Sequence, residues 1–145
     1  MKPHVSYFEG RISLPLLDTV VLFGTADSSD RDHEHASKHL RRISTPETYL
    51  GTFALLEFDI VMKSRGLSFE DRMEKHASLL RDYPELEAKV AAVSPAVLYL
   101  SSKLEKEADL EYFDAGVAAE AIQLDGEVVS TDRAFDRVRG LRRIW

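Results

Sequence analysis

The stretch Tyr112 to Asp136, YFDAGVAAEAIQLDGEVVSTDRAFD, constrains this chain more than any other. Asp114 opens a short apolar helix built on Ala115, Ala118, Ala119 and Ala121, and Leu124-Asp125-Gly126 makes a turn. Val128 and Val129 then predict a strand over Glu127 to Ser130, with Asp132 in the acidic turn beyond it. A helix feeding a strand at this spacing belongs to an open α/β sheet, where the loops past the carboxyl ends of the strands line the ligand crevice. Asp132 falls at that rim. Asp114, on a helix starting from the same edge, can reach the same place.

Upstream, Leu14-Pro15-Leu16-Leu17 predicts a short strand that begins at or after Pro15, which has no amide to donate. Asp18 follows, then an apolar helical turn from Thr19 to Phe23. A polar linker, Ser28 to Arg31, leads into a charged helix to about Arg42, with Ala36, Leu40 and Ile43 as its inner face. His35 and His39 are four apart on that helix, the spacing of a two-histidine metal pair. No third ligand follows, and the helix reads as exposed. Ser44, Pro46 and Glu47 form a capping box for a helix that runs to about Arg65 and stops at Gly66. Its middle, Phe53 to Met62, is apolar nearly all round and is expected to be largely buried. Asp59 can pair with Lys63 four residues on, whereas Glu57 is flanked by Phe53, Ile60 and Val61. A carboxylate in that setting is costly unless paired or bound to a cation, which makes Glu57 the third candidate acid.

Beyond it, Leu67-Ser68-Phe69-Glu70 starts a scaffold helix through about Asp82, with Phe69, Met73, Leu79 and Leu80 as its apolar residues, and Leu86 to Val93 is a short strand candidate. A helix over Ala96 to Ala108 delivers the chain to Asp114; after Asp132 come a helical turn and a closing edge strand, Leu141 to Trp145. Residues 1–12 fit neither pattern and are expected to extend a single domain over 13–145.

That domain count agrees with 145 residues, 44% of them apolar. The absence of cysteine excludes disulfides, thiolate zinc sites and cysteine nucleophiles. No segment resembles a signal peptide or the ~20 apolar residues of a membrane span, so a cytoplasmic protein without a membrane partner is expected. A net charge of -6 argues against nucleic acid. Its distribution argues otherwise: Arg133, Arg137, Arg139, Arg142 and Arg143 crowd the end, and the acids concentrate between Glu105 and Glu127. Those arginines read equally well as a solvated helix face and tail.

If Asp18, Glu57, Asp114 and Asp132 converge, each pair at ~4 Å repels by roughly 1 kcal/mol in water and ~4 kcal/mol at an effective dielectric of 20. Protons or divalent cations must then neutralise them, and an all-oxygen set selects Mg²⁺ or Mn²⁺. Such an ion activates water for phosphodiester hydrolysis. Taken singly, Asp114 and Asp132 read as helix caps and Asp18 as a loop residue.

Phe113-Asp114-Ala115-Gly116-Val117-Ala118-Ala119 followed by Val128-Val129-Ser130-Thr131-Asp132-Arg133-Ala134-Phe135-Asp136 resembles the C-terminal half of PIN-domain ribonucleases, in particular the VapC-type toxins of toxin-antitoxin pairs. The resemblance implies an α/β fold, a three-layer α/β/α PIN-like domain with a central, mostly parallel sheet of four to five short strands. It implies a metal-dependent endoribonuclease with Asp18, Glu57, Asp114 and Asp132 as catalytic and metal-binding residues. Asp18 and Thr19 match the family's opening polar triplet, while Val20 departs from it. Glu57 matches the family's helical glutamate, and Ser130 the residue that helps to order the site. Asp136 is a fifth acid at the rim, auxiliary or structural, since Arg133 and Arg137 can pair with it. RNA as substrate, a cognate antitoxin and a homodimer formed by the apolar helices over 44–65 and 67–82 are further implications. Three rivals stand beside this reading. A receiver domain needs an adjacent acidic pair after the first strand and a lysine after the last, and neither is evident. A catalytically inactive PIN-like RNA-binding or assembly module is favoured by Val20 and opposed by the four acids. An RNA-processing nuclease outside a toxin pair shares the same site.

Overall fold

In the computed structural model, residues 14–145 are described together with two short strands before them, β1 (Tyr7–Phe8) and β2 (Arg11–Ile12), which pair antiparallel. The expected extension over residues 1–12 lies mostly outside the described residues. The domain itself is built on a four-stranded, all-parallel sheet in the order β4-β3-β5-β6: β3 (Leu16–Leu17), β4 (Tyr49–Leu50), β5 (Glu127–Val129) and β6 (Arg142–Ile144). Leu16 and Leu17 register with Val128 and Val129 on one side and with Tyr49 and Leu50 on the other. All four central residues, Leu16, Leu17, Val128 and Val129, are buried, as a parallel sheet covered by helices requires.

Among the described residues six α-helices complete the fold: α1 (Thr19–Ala26), α2 (His33–Arg41), α3 (Thr52–Ser64), α4 (Phe69–Asp82), α5 (Pro95–Glu107) and α6 (Tyr112–Leu124). Among the described residues none is long and apolar enough to cross a membrane. Every residue of α6 from Ala115 to Ala121 is buried, which its small side chains permit. A Cβ on Gly116 would stand 2.3 Å from the Phe53 ring, so α3 and α6 meet only because that position is glycine.

Several expectations are corrected. The helix after Ser44 begins at Thr52, because Tyr49 and Leu50 are drawn into the sheet; their amides donate to the Pro15 and Lys89 carbonyls at 3.1 and 2.8 Å. The Ser44 hydroxyl donates back to the Arg41 carbonyl at 3.1 Å instead of capping α3. Long-range strand pairing thus overrides a good local capping signal. The strand expected over Leu86 to Val93 is a 3-10 turn, Pro84–Ala88, followed by a single parallel bridge from Val90 to Leu50. On α3 only Phe53, Ala54, Phe58 and Met62 are buried, and Leu56 and Ile60 are half exposed. Asp59 pairs with His76 at 2.8 Å and lies 3.7 Å from Arg72, both on α4, instead of pairing with Lys63.

Candidate active site

Asp18 is the first residue past β3, and its amide donates to the Val129 carbonyl at 3.1 Å, so the backbone that carries it is stitched to β5. Its side chain is 3% exposed. Oδ2 accepts a hydrogen bond from the Ser130 hydroxyl at 2.7 Å, and that hydroxyl oxygen accepts from the Asp132 amide at 3.0 Å. One serine therefore ties the acid after the first central strand to the loop that carries the last. Asp18 Oδ1 is buried and finds no partner of normal hydrogen-bond geometry among the described residues. Burial pushes the Asp18 carboxyl up to about 6; Ser130 and the Thr19 amide oppose this, and the charges of Glu57 and Asp132 add to it.

Asp114 is not the cap of α6. Glu111 takes that place because Tyr112 and Phe113 enter the helix, which leaves Asp114 in the first turn. Burial pushes its carboxyl up to about 7, helped by the charges of Asp132, Asp18, Glu57 and Glu111 in that order. Glu57 is half-buried on α3, and the Thr19 hydroxyl donates to its Oε1 at 2.5 Å. Asp132 uses Oδ1 to accept from the Ala134 amide at 2.9 Å, so it caps the following 3-10 turn while its charge acts on Asp18 and Asp114. Asp18 and Asp114 both lie in the electrostatic field of Glu57 and Asp132. Among the described residues the four acids are not gathered into a ready-made cage, since no three His, Cys, Asp or Glu side chains stand close enough to hold an ion as they are. Bare carboxylates repel one another, and Mg²⁺ uses one or two of them while keeping several waters. An orphaned carboxylate oxygen on Asp18, with only oxygen donors around it, fits a hard divalent cation.

Asp136 stands apart from these four. It is exposed and forms a bidentate pair with Arg143, at 2.9 and 3.2 Å, in place of the expected Arg133 and Arg137. Arg143 also donates to the Ser130 carbonyl at 3.3 Å, so the pair braces the rim from outside.

A further buried acid carries no clear mark in the sequence. Glu120, on α6 and 1% exposed, accepts from the Thr52 and Phe53 amides at 2.8 and 3.0 Å. It caps α3 from another helix and so fixes the helix of Glu57 against the helix of Asp114. Burial raises its carboxyl to about 7 in spite of those two bonds. Its only signal was a lone carboxylate in an alanine-rich run. A cavity of about 420 Å³ between α1, α2 and α4, lined by Ser37, Arg41 and Lys75 among others, contains none of the four acids.

Fold and site together define an α/β protein with acidic side chains at the carboxyl edge of its parallel sheet. The PIN domain family model matches residues 16–141, and the chain belongs to that family. Solved structures agree on the fold. FitAcB from Neisseria gonorrhoeae is 18% identical, with a TM-score of 0.66 over 85% of this chain and 91% of that one. VapBC2 from Rickettsia felis, bound to a DNA fragment from their promoter, is 15% identical, with a TM-score of 0.63 over 90% and 96%. PAE2754 from Pyrobaculum aerophilum is 18% identical, with a TM-score of 0.57 over 90% and 89%. No curated protein matches the sequence.

Proposed function

We propose that this PIN-domain protein is a divalent-metal-dependent endoribonuclease that hydrolyses RNA phosphodiester bonds and serves as a VapC-type toxin. The observation that carries the reading is Asp18, a buried carboxylate with one orphaned oxygen, set in the field of Glu57 and Asp132 and itself acting on Asp114. Asp18, Glu57, Asp114 and Asp132 would hold Mg²⁺ or Mn²⁺. When bound, the cation supplies an activated water and charge stabilisation for the leaving oxygen.

The remaining work belongs to the chain. Asp18 is the fixed point, anchored through Oδ2 by Ser130 and through its amide by β5. Thr19 orients Glu57 through their hydrogen bond. Asp114, poised at about 7, can hold or release a proton at its carboxylate near neutral pH. Val20 departs from the family's polar triplet, and Asp18, Thr19 and Glu57 carry the load at that corner without it.

Similarity to FitAcB and to VapBC2, the latter with promoter DNA, supports a cognate antitoxin as partner. Exposed Leu56 and Ile60 on α3, with Phe69 and Met73 on α4, support pairing of two copies through those helices. Incubation of purified protein with single-stranded RNA and Mg²⁺ or Mn²⁺ tests the activity. Cleavage that EDTA stops, and that Asp18→Asn and Asp114→Asn each reduce by about 10²-fold or more, is expected. An inert wild type would favour the RNA-binding or assembly module.

A further inference from the structure

His35 and His39 lie on α2, which carries none of the four acids, and the proposed nuclease chemistry does not use them. His35 is exposed, His39 is 9% exposed, and their Nε2 atoms stand 3.2 Å apart. The indole of Trp145 covers both imidazoles, its ring centroid 4.8 Å from that of His35 and 5.2 Å from that of His39. Two nitrogens bound to one ion at 2.0–2.1 Å and separated by 3.2 Å subtend about 100° at the metal, between square-planar and tetrahedral angles. The pair already has the bite of a chelate, with the same nitrogen of each ring turned inward.

The geometry points to a second cation site at His35 and His39, for a late first-row divalent ion of the Ni²⁺, Cu²⁺ or Zn²⁺ class. Imidazole suits these ions, whereas the carboxylate edge suits Mg²⁺ and Mn²⁺, so the two sites divide metals by ligand chemistry. No third His, Cys, Asp or Glu among the described residues joins the pair, and water completes the coordination. Lys38 and Arg42 place positive charge beside His39 and hold the affinity below that of a site with a carboxylate ligand. Bound there, an ion locks one full turn of α2 under the end of β6.

Trp145 is the chain's one tryptophan and packs on both histidines, so its emission senses an ion held there. The test titrates untagged full-length protein near pH 7.5 with Ni²⁺ and Cu²⁺, which quench a nearby indole, and with Zn²⁺ as a non-quenching competitor. Saturable 1:1 quenching is expected, tighter for Cu²⁺ than for Ni²⁺, relieved by EDTA, displaced by Zn²⁺ and untouched by Mg²⁺. His35→Ala, at the exposed partner, should raise the half-saturating concentration by about tenfold or more while the melting temperature of the metal-free protein holds. Asp18→Asn should leave the quenching intact, which separates this site from the carboxylates. Unsaturable quenching, or the same titration in His35→Ala as in wild type, would overturn the site and leave a hydrogen-bonded histidine pair.

Discussion

Ser130 is the residue on which the acidic edge turns. It donates to Asp18 and accepts from the Asp132 amide, and its hydroxyl offsets part of the upward pull that burial exerts on the Asp18 carboxyl. Ser130→Ala removes that donor and leaves Asp18 harder to ionise. Cleavage should then fall more at pH 6.5 than at pH 8, and a pH–rate profile that keeps the wild-type shape would contradict this. The positions of Asp18 and Asp132 were legible because each follows a run that can only be a strand, and strand ends fix where the next side chain goes. Asp114 lies on the expected helix but in its first turn instead of at its cap, since Tyr112 and Phe113 enter the helix ahead of it. Glu120 was not legible, because its partners are amides 67 and 68 residues away.

At the scale of elements, the α3–α6 contact positions the site, and two residues maintain it. Gly116→Ala drives a methyl group into the Phe53 ring, an overpacking that costs about 1–3 kcal/mol. Calorimetry should show a melting temperature lower by roughly 2–12 °C. Glu120→Ala strips two α3 amides of their acceptor, a loss of about 1–3 kcal/mol, and frees the helix that carries Glu57. Cleavage should fall with it although Glu120 is not among the proposed ligands, and wild-type activity in a folded Glu120→Ala would show that the cap positions nothing. Helices whose patterns were local, α4 with its Ser68 cap and α5 with its Ser94 cap, were read nearly to the residue. The start of α3 was misread because β4 is only two residues long and forms by pairing with β3, which no local pattern announces.

For the whole molecule, three buried or half-buried carboxyls, Asp18 at about 6 and Asp114 and Glu120 at about 7, make folding depend on pH. Each native value lies above the ordinary carboxyl value, so folding favours the protonated form. The stability this contributes is full below about pH 4 and is lost as pH rises through 6 to 7. For Asp18 alone, moving from 3.8 to about 6 corresponds to about 3 kcal/mol lost by pH 7.5. Partly buried Asp114 contributes less than its shift implies, because solvent screens it. Metal-free protein should therefore melt higher at pH 5.5 than at pH 8. Mg²⁺ should raise the melting temperature at pH 8 and have little effect at pH 5.5, and equal Mg²⁺ stabilisation at both would contradict the linkage. The exposed apolar side chains of α3 and α4 belong to the same scale. If they join two copies, Ile60→Glu with Met73→Glu should convert a dimer to a monomer in sedimentation velocity; a wild-type monomer removes that interface.

Cation-linked proton release tests most directly whether the four acids act as one site. Calorimetric titration of wild-type protein with Mg²⁺ at pH 6.5, in two buffers of different ionisation enthalpy, measures the protons displaced per ion bound. Saturable binding with net release, abolished in Asp18→Asn and sharply reduced in Asp114→Asn, is the expected result. Binding without proton release, or binding that survives in both variants, would mean that the ion is held elsewhere and that the carboxyl-edge site does not exist.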